Sequence, residues 1–233
     1  MKSIPLNLIL LSFLILSACY STKIMKSSNK PTTLDWQGHR GARGLLPENT
    51  IPAFLKALEY PIQTLELDIA VSIDQKIIVS HEPWFSSEIC RLPNGKTIPK
   101  VSEKTHKIYD LTYEEIKSYD CGTLSHPRFP KQESRSVNKP SLSDVAAAVK
   151  TFCQKNNRPL PYWNIEIKSA PEGDGIFHPA PSEFVDLLIR ELKAIDIYTQ
   201  TNIQSFDVRP LQYCREKYPD MPLALLVENE DSV

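Results

Sequence analysis

The chain has 233 residues, of which 41% are hydrophobic and 24% charged, the make-up of a soluble globular protein long enough to bury a core. Its formal net charge of -1 gives no basic field of the kind nucleic acid requires, which removes that partner class. Any anion the protein binds must therefore be gripped locally.

The first segment reads as a leader. Lys2 precedes an apolar run over residues 4–16 and then Leu16-Ser17-Ala18-Cys19, a secretory signal (residues 1–18) with a small-residue cleavage site. The run is too short for a spanning helix. Leu16-Ser17-Ala18-Cys19 also resembles the lipobox of bacterial lipoproteins. That resemblance implies lipidation of Cys19, a flexible tether over residues 19–33, and an exported chain held to a bacterial membrane by its N-terminus, facing the periplasm. Export allows the remaining cysteines, Cys90, Cys121, Cys153 and Cys214, to pair. They form no C-x-x-C or Cys/His pattern of a zinc site, and both a Cys90 to Cys121 bridge and four buried thiols fit the spacing.

From residue 34 onward, short apolar runs alternate with helical patterns. Strands are expected at residues 34–37, 64–71, 77–80, 162–167, 202–205 and 222–227. Helices are expected at 50–58 behind an Asn49 cap, from Ser143 or Asp144 to 156, at 182–195, and from Asp207 to about 217. The alternation implies parallel β/α units, whose barrel form carries its chemistry at the C-terminal ends of the strands. Residues 83–140, with many prolines and charges and one capping box at Thr112 and Glu115, break the rhythm as an insertion after the third strand. The expected fold is thus α/β, a TIM-type (β/α) barrel over residues 34–233. Six strands are visible where a complete barrel has eight and uses roughly 250 residues, so the barrel reads as truncated at its C-terminal end.

The chemistry concentrates at the predicted strand ends. His39 and Arg40 follow the first strand inside Gly-His-Arg-Gly-Ala-Arg-Gly, and glycine there lets backbone approach a bound anion. In Glu66-Leu67-Asp68 the carboxylates share one strand face, an arrangement that suits a hard cation and equally suits a solvated acidic face. Glu166-Ile167-Lys168 repeats the spacing with opposite charges: Glu166 could complete a metal site while Lys168 meets an anion, or the two could pair at a rim. His39 and His81 both follow apolar strands, beside these acidic ends, where an imidazole can exchange protons near neutral pH. His106, His126 and His178 sit in loop-like contexts without such company.

Taken in order, His39-Arg40-Gly41 with Pro47-Glu48-Asn49-Thr50, Glu66-Leu67-Asp68, His81-Glu82 and Glu166-Ile167-Lys168 resemble the signature of glycerophosphodiester phosphodiesterases. The resemblance implies a β/α barrel that hydrolyses glycerophosphodiesters to an alcohol and glycerol 3-phosphate with a divalent cation, Ca²⁺ or Mg²⁺. It implies Glu66, Asp68 and Glu166 as metal ligands, His39 and His81 as the acid/base pair, and Arg40 and Lys168 as phosphate contacts. Two other readings stand beside it: a related barrel phospholipase acting on intact lipids, and a non-enzymatic surface lipoprotein acting as a binding module.

Overall fold

The computed structural model describes residues 34–228. The expected signal, Cys19 and the tether lie outside the described residues.

One six-stranded sheet organises the domain. Strands β1 (Gln37–His39), β2 (Thr64–Val71), β4 (Tyr162–Ile167), β5 (Thr201–Ser205) and β6 (Leu223–Leu225) lie side by side in parallel, in the order β1-β2-β4-β5-β6. Strand β3 (Ile77–Val79) lies off this path and pairs with β2. The helices are α1 (Ile51–Ala57), the short α2 (Tyr113–Ile116), α3 (Leu142–Lys155), α4 (Pro181–Ala194) and α5 (Val208–Lys217). This is the expected α/β architecture, but hydrogen bonds do not close the described strands into a ring.

The alternation in the sequence explains the layering. Leu65, Leu67 and Ile69 of β2, Trp163, Ile165 and Ile167 of β4, and Ile203 of β5 join Phe54, Val145, Val149, Leu188 and Leu192 of the helices in one buried cluster. The residues between them on the strands face the other way, and they are polar: Glu66, Asp68, Asn164, Glu166 and Gln204. Register aligns them in rows, with His39 opposite Glu66, Glu66 opposite Asn164, and Asp68 opposite Glu166.

Several expectations need correction. The first strand lies at Gln37–His39 instead of residues 34–37, because its partners on β2 are Thr64, Leu65 and Glu66, so His39 belongs to the strand itself. The third strand is antiparallel to β2 and not a parallel β/α unit. Only residues 72–76 join the two, and a parallel crossover needs a dozen or more. Helix boundaries fall within a few residues of expectation, but Thr50 caps α1 instead of Asn49, Ser141 caps α3, and Asp207 caps α5 as expected.

The insertion has a second core. Phe85, Cys90, Ile98, Ile108, Ile116 and Cys121 pack on Ala70 of β2 and Ile78 of β3. Thr112 and Glu115 form the capping box at α2. Of the four cysteines left open, Cys90 and Cys121 are bonded, while Cys153 and Cys214 are buried free thiols. Closing a loop with a sequence separation of 31 stabilises by about 3.7 kcal/mol. Replacing both Cys90 and Cys121 by Ser should therefore lower the melting temperature by roughly 7–15 °C. A double variant that melts with the parent protein would show that the bridge contributes nothing to the fold.

Candidate active site

Strand β2 brings two carboxylates into a place that water hardly reaches. Glu66 is 5% exposed and Asp68 is not exposed at all; Glu166, next door on β4, is 6% exposed. The three offer oxygens that all lie within 4.8 Å of one another. Like charges this close repel, and burial removes the water that would screen them.

Two cations enter the cluster. Arg40 places Nη1 2.8 Å from Glu48 and Nε 3.2 Å from Asp68, and its backbone N–H donates to Glu66 at 2.9 Å. Lys168 Nζ lies 2.5 Å from Glu166 and 3.2 Å from Asp68. Both expected phosphate-binding cations are therefore engaged with the acidic cluster. Asn49, freed from capping and held at a φ of 56°, donates its side-chain amide to Asp68 at 2.9 Å.

Protonation follows the same balance. Burial and the neighbouring Asp68 push Glu66 up to about 8. Burial also raises Glu166, against the pull of Lys168. Asp68 moves down: burial opposes its charge, but Lys168, His81 and Arg40 outweigh burial. Four carboxylates (Glu48, Glu66, Asp68, Glu166) thus share two cations (Arg40, Lys168), two positive charges short when all are ionised. Oδ1 of Asp68 is buried, with Lys168 Nζ 3.2 Å away. Hard oxygen donors and a deficit of two charges fit a divalent cation such as Mg²⁺ or Ca²⁺.

The histidines flank this cluster. His39 Nε2 lies 3.7 Å from Glu66, and burial together with Arg43 and Arg40 lowers its pKa to about 4. His81 arrives by a route its sequence position hides. Strand β3 turns back along β2, and the Ser80 N–H donates to the Asp68 carbonyl at 2.9 Å, which sets the next residue beside the carboxylates. His81 Nδ1 is 2.7 Å from Glu82, whose carboxyl is held down at about 2 because, despite burial, its hydrogen bond and ion pairing with His81 win.

His39, Arg40, Glu66, His81, Glu166 and Lys168 line one cleft of about 620 Å³. A second hollow of about 450 Å³ shares His81, Glu166, Lys168 and Phe206 with it and adds Trp84 and Phe177. The site residues named from the sequence are therefore brought together, apart from Cys19, which lies outside the described residues.

Sequence reasoning missed three kinds of support. Asn164 and Gln204 form a polar ladder under the carboxylates, with Gln204 donating to Glu66 at 3.2 Å and Asn164 to Gln204 at 3.1 Å. Their signal was present, since both lie on the Glu66 face of expected strands. Lys139, buried at the end of the insertion, donates to Ser80 at 2.7 Å, and nothing local marks it. Gly41 also has a different reason: at its φ of 74°, an added Cβ would fall 2.6 Å from the Ala53 backbone. The close approach it permits is to helix α1, while Gly44 meets nothing within 4 Å.

Residues 39–233 match the model of the glycerophosphoryl diester phosphodiesterase family. The chain is 30% identical over 189 residues to the Bacillus subtilis (strain 168) protein YhdW, provisionally assigned as a glycerophosphodiester phosphodiesterase, covering 81% of this chain and 63% of that one. It is 28% identical over 192 residues to a glycerophosphodiester phosphodiesterase of Caldanaerobacter subterraneus subsp. tengcongensis, covering 82% and 65%. A solved structure from Silicibacter pomeroyi DSS-3, provisionally named a glycerophosphoryl diester phosphodiesterase, superposes with a TM-score of 0.75 at 27% identity, over 87% of this chain and 68% of that chain. The chain spans less than two thirds of the length of these two curated relatives.

Replacing Glu66 by Gln removes one charge and one hard donor from the cluster. Mg²⁺ affinity, measured by calorimetry, should fall by at least about a hundredfold, the upper end of what loss of a supporting group outside the ligand set produces. An unchanged Mg²⁺ titration would remove Glu66 from the ligand set.

Proposed function

The chain belongs to the glycerophosphoryl diester phosphodiesterase family, and we propose that it hydrolyses glycerophosphodiesters to an alcohol and glycerol 3-phosphate. The observation that carries this reading is the three-carboxylate cluster opening on one cleft with two histidines and two cations.

A divalent cation, Mg²⁺ or Ca²⁺, held by Glu66, Asp68 and Glu166 would supply Lewis-acid polarisation of the phosphoryl oxygens. Lys168 and Arg40 add positive charge beside the same oxygens, where negative charge must be stabilised as the diester reacts. The histidines divide the proton work. With its pKa near 4, His39 is neutral at physiological pH and ready to accept a proton from the attacking water, or from the glycerol 2-hydroxyl in a route whose cyclic phosphate water then opens. The Glu82 carboxylate faces Nδ1 of His81, orients the ring, and leaves Nε2 free to donate to the departing alcohol. His39 is accordingly the base and the His81–Glu82 pair the acid.

A second reading rests on the hollow beside Lys168. Trp84, Phe177 and Phe206 give it aromatic walls that suit an apolar substituent, as on a lipid carrying an acyl chain. The leader reading remains a proposal for location: export with a lipidated Cys19 accords with the Cys90–Cys121 bridge, which needs an oxidising compartment.

Glycerol 3-phosphate release from glycerophosphocholine, followed with Mg²⁺, with Ca²⁺ and with EDTA, tests the reading. Release that EDTA abolishes is expected; no release from folded protein supplied with either ion refutes it, and faster turnover of lysophospholipid would favour the second reading. Replacing His39 or His81 by Ala should each lower kcat about 10²- to 10⁴-fold. Glu82→Gln should lower kcat by roughly tenfold or more while KM holds, and normal turnover in that variant would separate Glu82 from the proton donor.

A further inference from the structure

One buried group beside the site remains unused. Glu48 is 8% exposed and gives one oxygen to Arg40, but its other oxygen, Oε2, is buried without a hydrogen-bond partner. Such an acceptor is costly to leave alone. The nearest cationic or ring nitrogen paired with it is Nε2 of His126, 3.7 Å away, on a histidine that is 4% exposed.

The hydrogen bonding of His126 fixes which nitrogen carries its proton. Nδ1 accepts from the Arg128 backbone N–H at 3.1 Å, so in the neutral ring the proton sits on Nε2, the atom directed at Glu48. Burial lowers the pKa of His126 and favours that neutral form.

His126 does not reach this place alone. It belongs to the insertion, whose segment from Gly122 to Arg135 is strapped over the loop that carries Arg40 and Glu48. Gln132 donates to the carbonyls of Arg43 and Leu46 at 2.6 and 3.1 Å, and the Glu133 N–H donates to Leu45 at 2.9 Å. An added Cβ at Gly122 would fall 2.8 Å from Pro47, and the Arg43 guanidinium lies 5.1 Å from the centre of the Phe129 ring. The strap ends at the disulfide through Cys121.

From this chain of contacts, and resting on the divalent-cation reading of the carboxylates, we propose that His126 is a positioning residue. Its Nε2–H lies 3.7 Å from the free oxygen of Glu48, an electrostatic neighbour at more than hydrogen-bond distance, and biases Glu48 to keep Arg40 against Asp68 and Glu66, which sets those carboxylates for the cation. The insertion thereby becomes part of the site without touching the reacting atoms. Groups one step removed from metal ligands change metal affinity or activity about 10- to 100-fold when altered.

Two substitutions separate this role from a purely structural one. Asn at 126 keeps an acceptor where Nδ1 lies, so the Arg128 contact survives, but it cannot extend to Glu48. Gln carries its amide nitrogen where Nε2 lies and can still donate to Glu48. Mg²⁺ affinity, measured by calorimetry on folded protein, should fall about tenfold or more in His126→Asn and stay within about threefold in His126→Gln. The reverse order, with Asn harmless and Gln damaging, would overturn the proposal and leave His126 as a loop fastener. If Asn does not fold, His126→Ala, Glu48→Gln and the two combined serve instead: once Glu48 is changed, the change at 126 should cost nothing further, and independent additive losses would overturn the coupling. Because Mg²⁺ alone is the probe, the result is separate from hydrolysis. Protein that binds Mg²⁺ in the expected order but releases no glycerol 3-phosphate would count against the phosphodiesterase reading and leave the role of His126 standing.

Discussion

Burying Glu66, Asp68 and Glu166 together is the constraint on which the rest of the site depends. A lone ionised carboxylate is unfavourable away from water, and three within 4.8 Å add mutual repulsion. The surrounding residues answer with donors and charge: Asn49 and Arg40 on Asp68, the Arg40 N–H and Gln204 on Glu66, and Lys168 on Glu166. Those answers are incomplete, as the raised pKa values of Glu66 and Glu166 record. A site that is stable as a fold yet two positive charges short with every carboxylate ionised suits a cation, whose binding would offset that deficit in place of protons.

How much of this the amino-acid sequence discloses depends on whether a feature is written in a local period. The alternation in Thr64–Val71 and Tyr162–Ile167 placed both strands correctly and predicted that Glu66 would share a face with Asp68, and Glu166 with Lys168. His81 was placed at the site for an incomplete reason. An end-of-strand position on a parallel unit was expected, whereas an antiparallel return along β2 delivers it. The length of the connection held the clue, since residues 72–76 are too few for a crossover. Asn49 was misread as a helix cap because Asn is a strong capping residue, and its neighbour Thr50 does that work. Lys139 and His126 had no local signal at all. Their importance comes from the folding of the insertion over β2, β3 and the Arg40 loop, a long-range outcome that no window of sequence contains.

The insertion illustrates why composition alone undervalues such segments. Its prolines and charges suggest a surface loop, yet it buries a second core against Ala70 and Ile78 and is tied by a disulfide. This core stands on the far end of β2, beyond the carboxylates, and the hairpin of β2 with β3 is its base. Rigidity there is useful. A carboxylate cluster tuned by one or two ångströms of displacement needs neighbours that do not drift, and loops gain that precision only when something packs against them.

The location of the site also separates its assembly from closure of the sheet. His39 comes from β1, Glu66 and Asp68 from β2, Glu166 from β4 and Gln204 from β5, four strands that are consecutive neighbours with paired registers. His81 and Glu82 hang from the hairpin on β2. The relative placement of carboxylates, histidines and polar ladder is therefore fixed by adjacent backbone hydrogen bonds and by the helices packed behind them. After β5 and β6, Phe206 and Leu226 line the same cleft. The carboxylates and histidines are set on the other side, by the pairing of β1, β2, β4 and β5 and by the hairpin of β2 with β3.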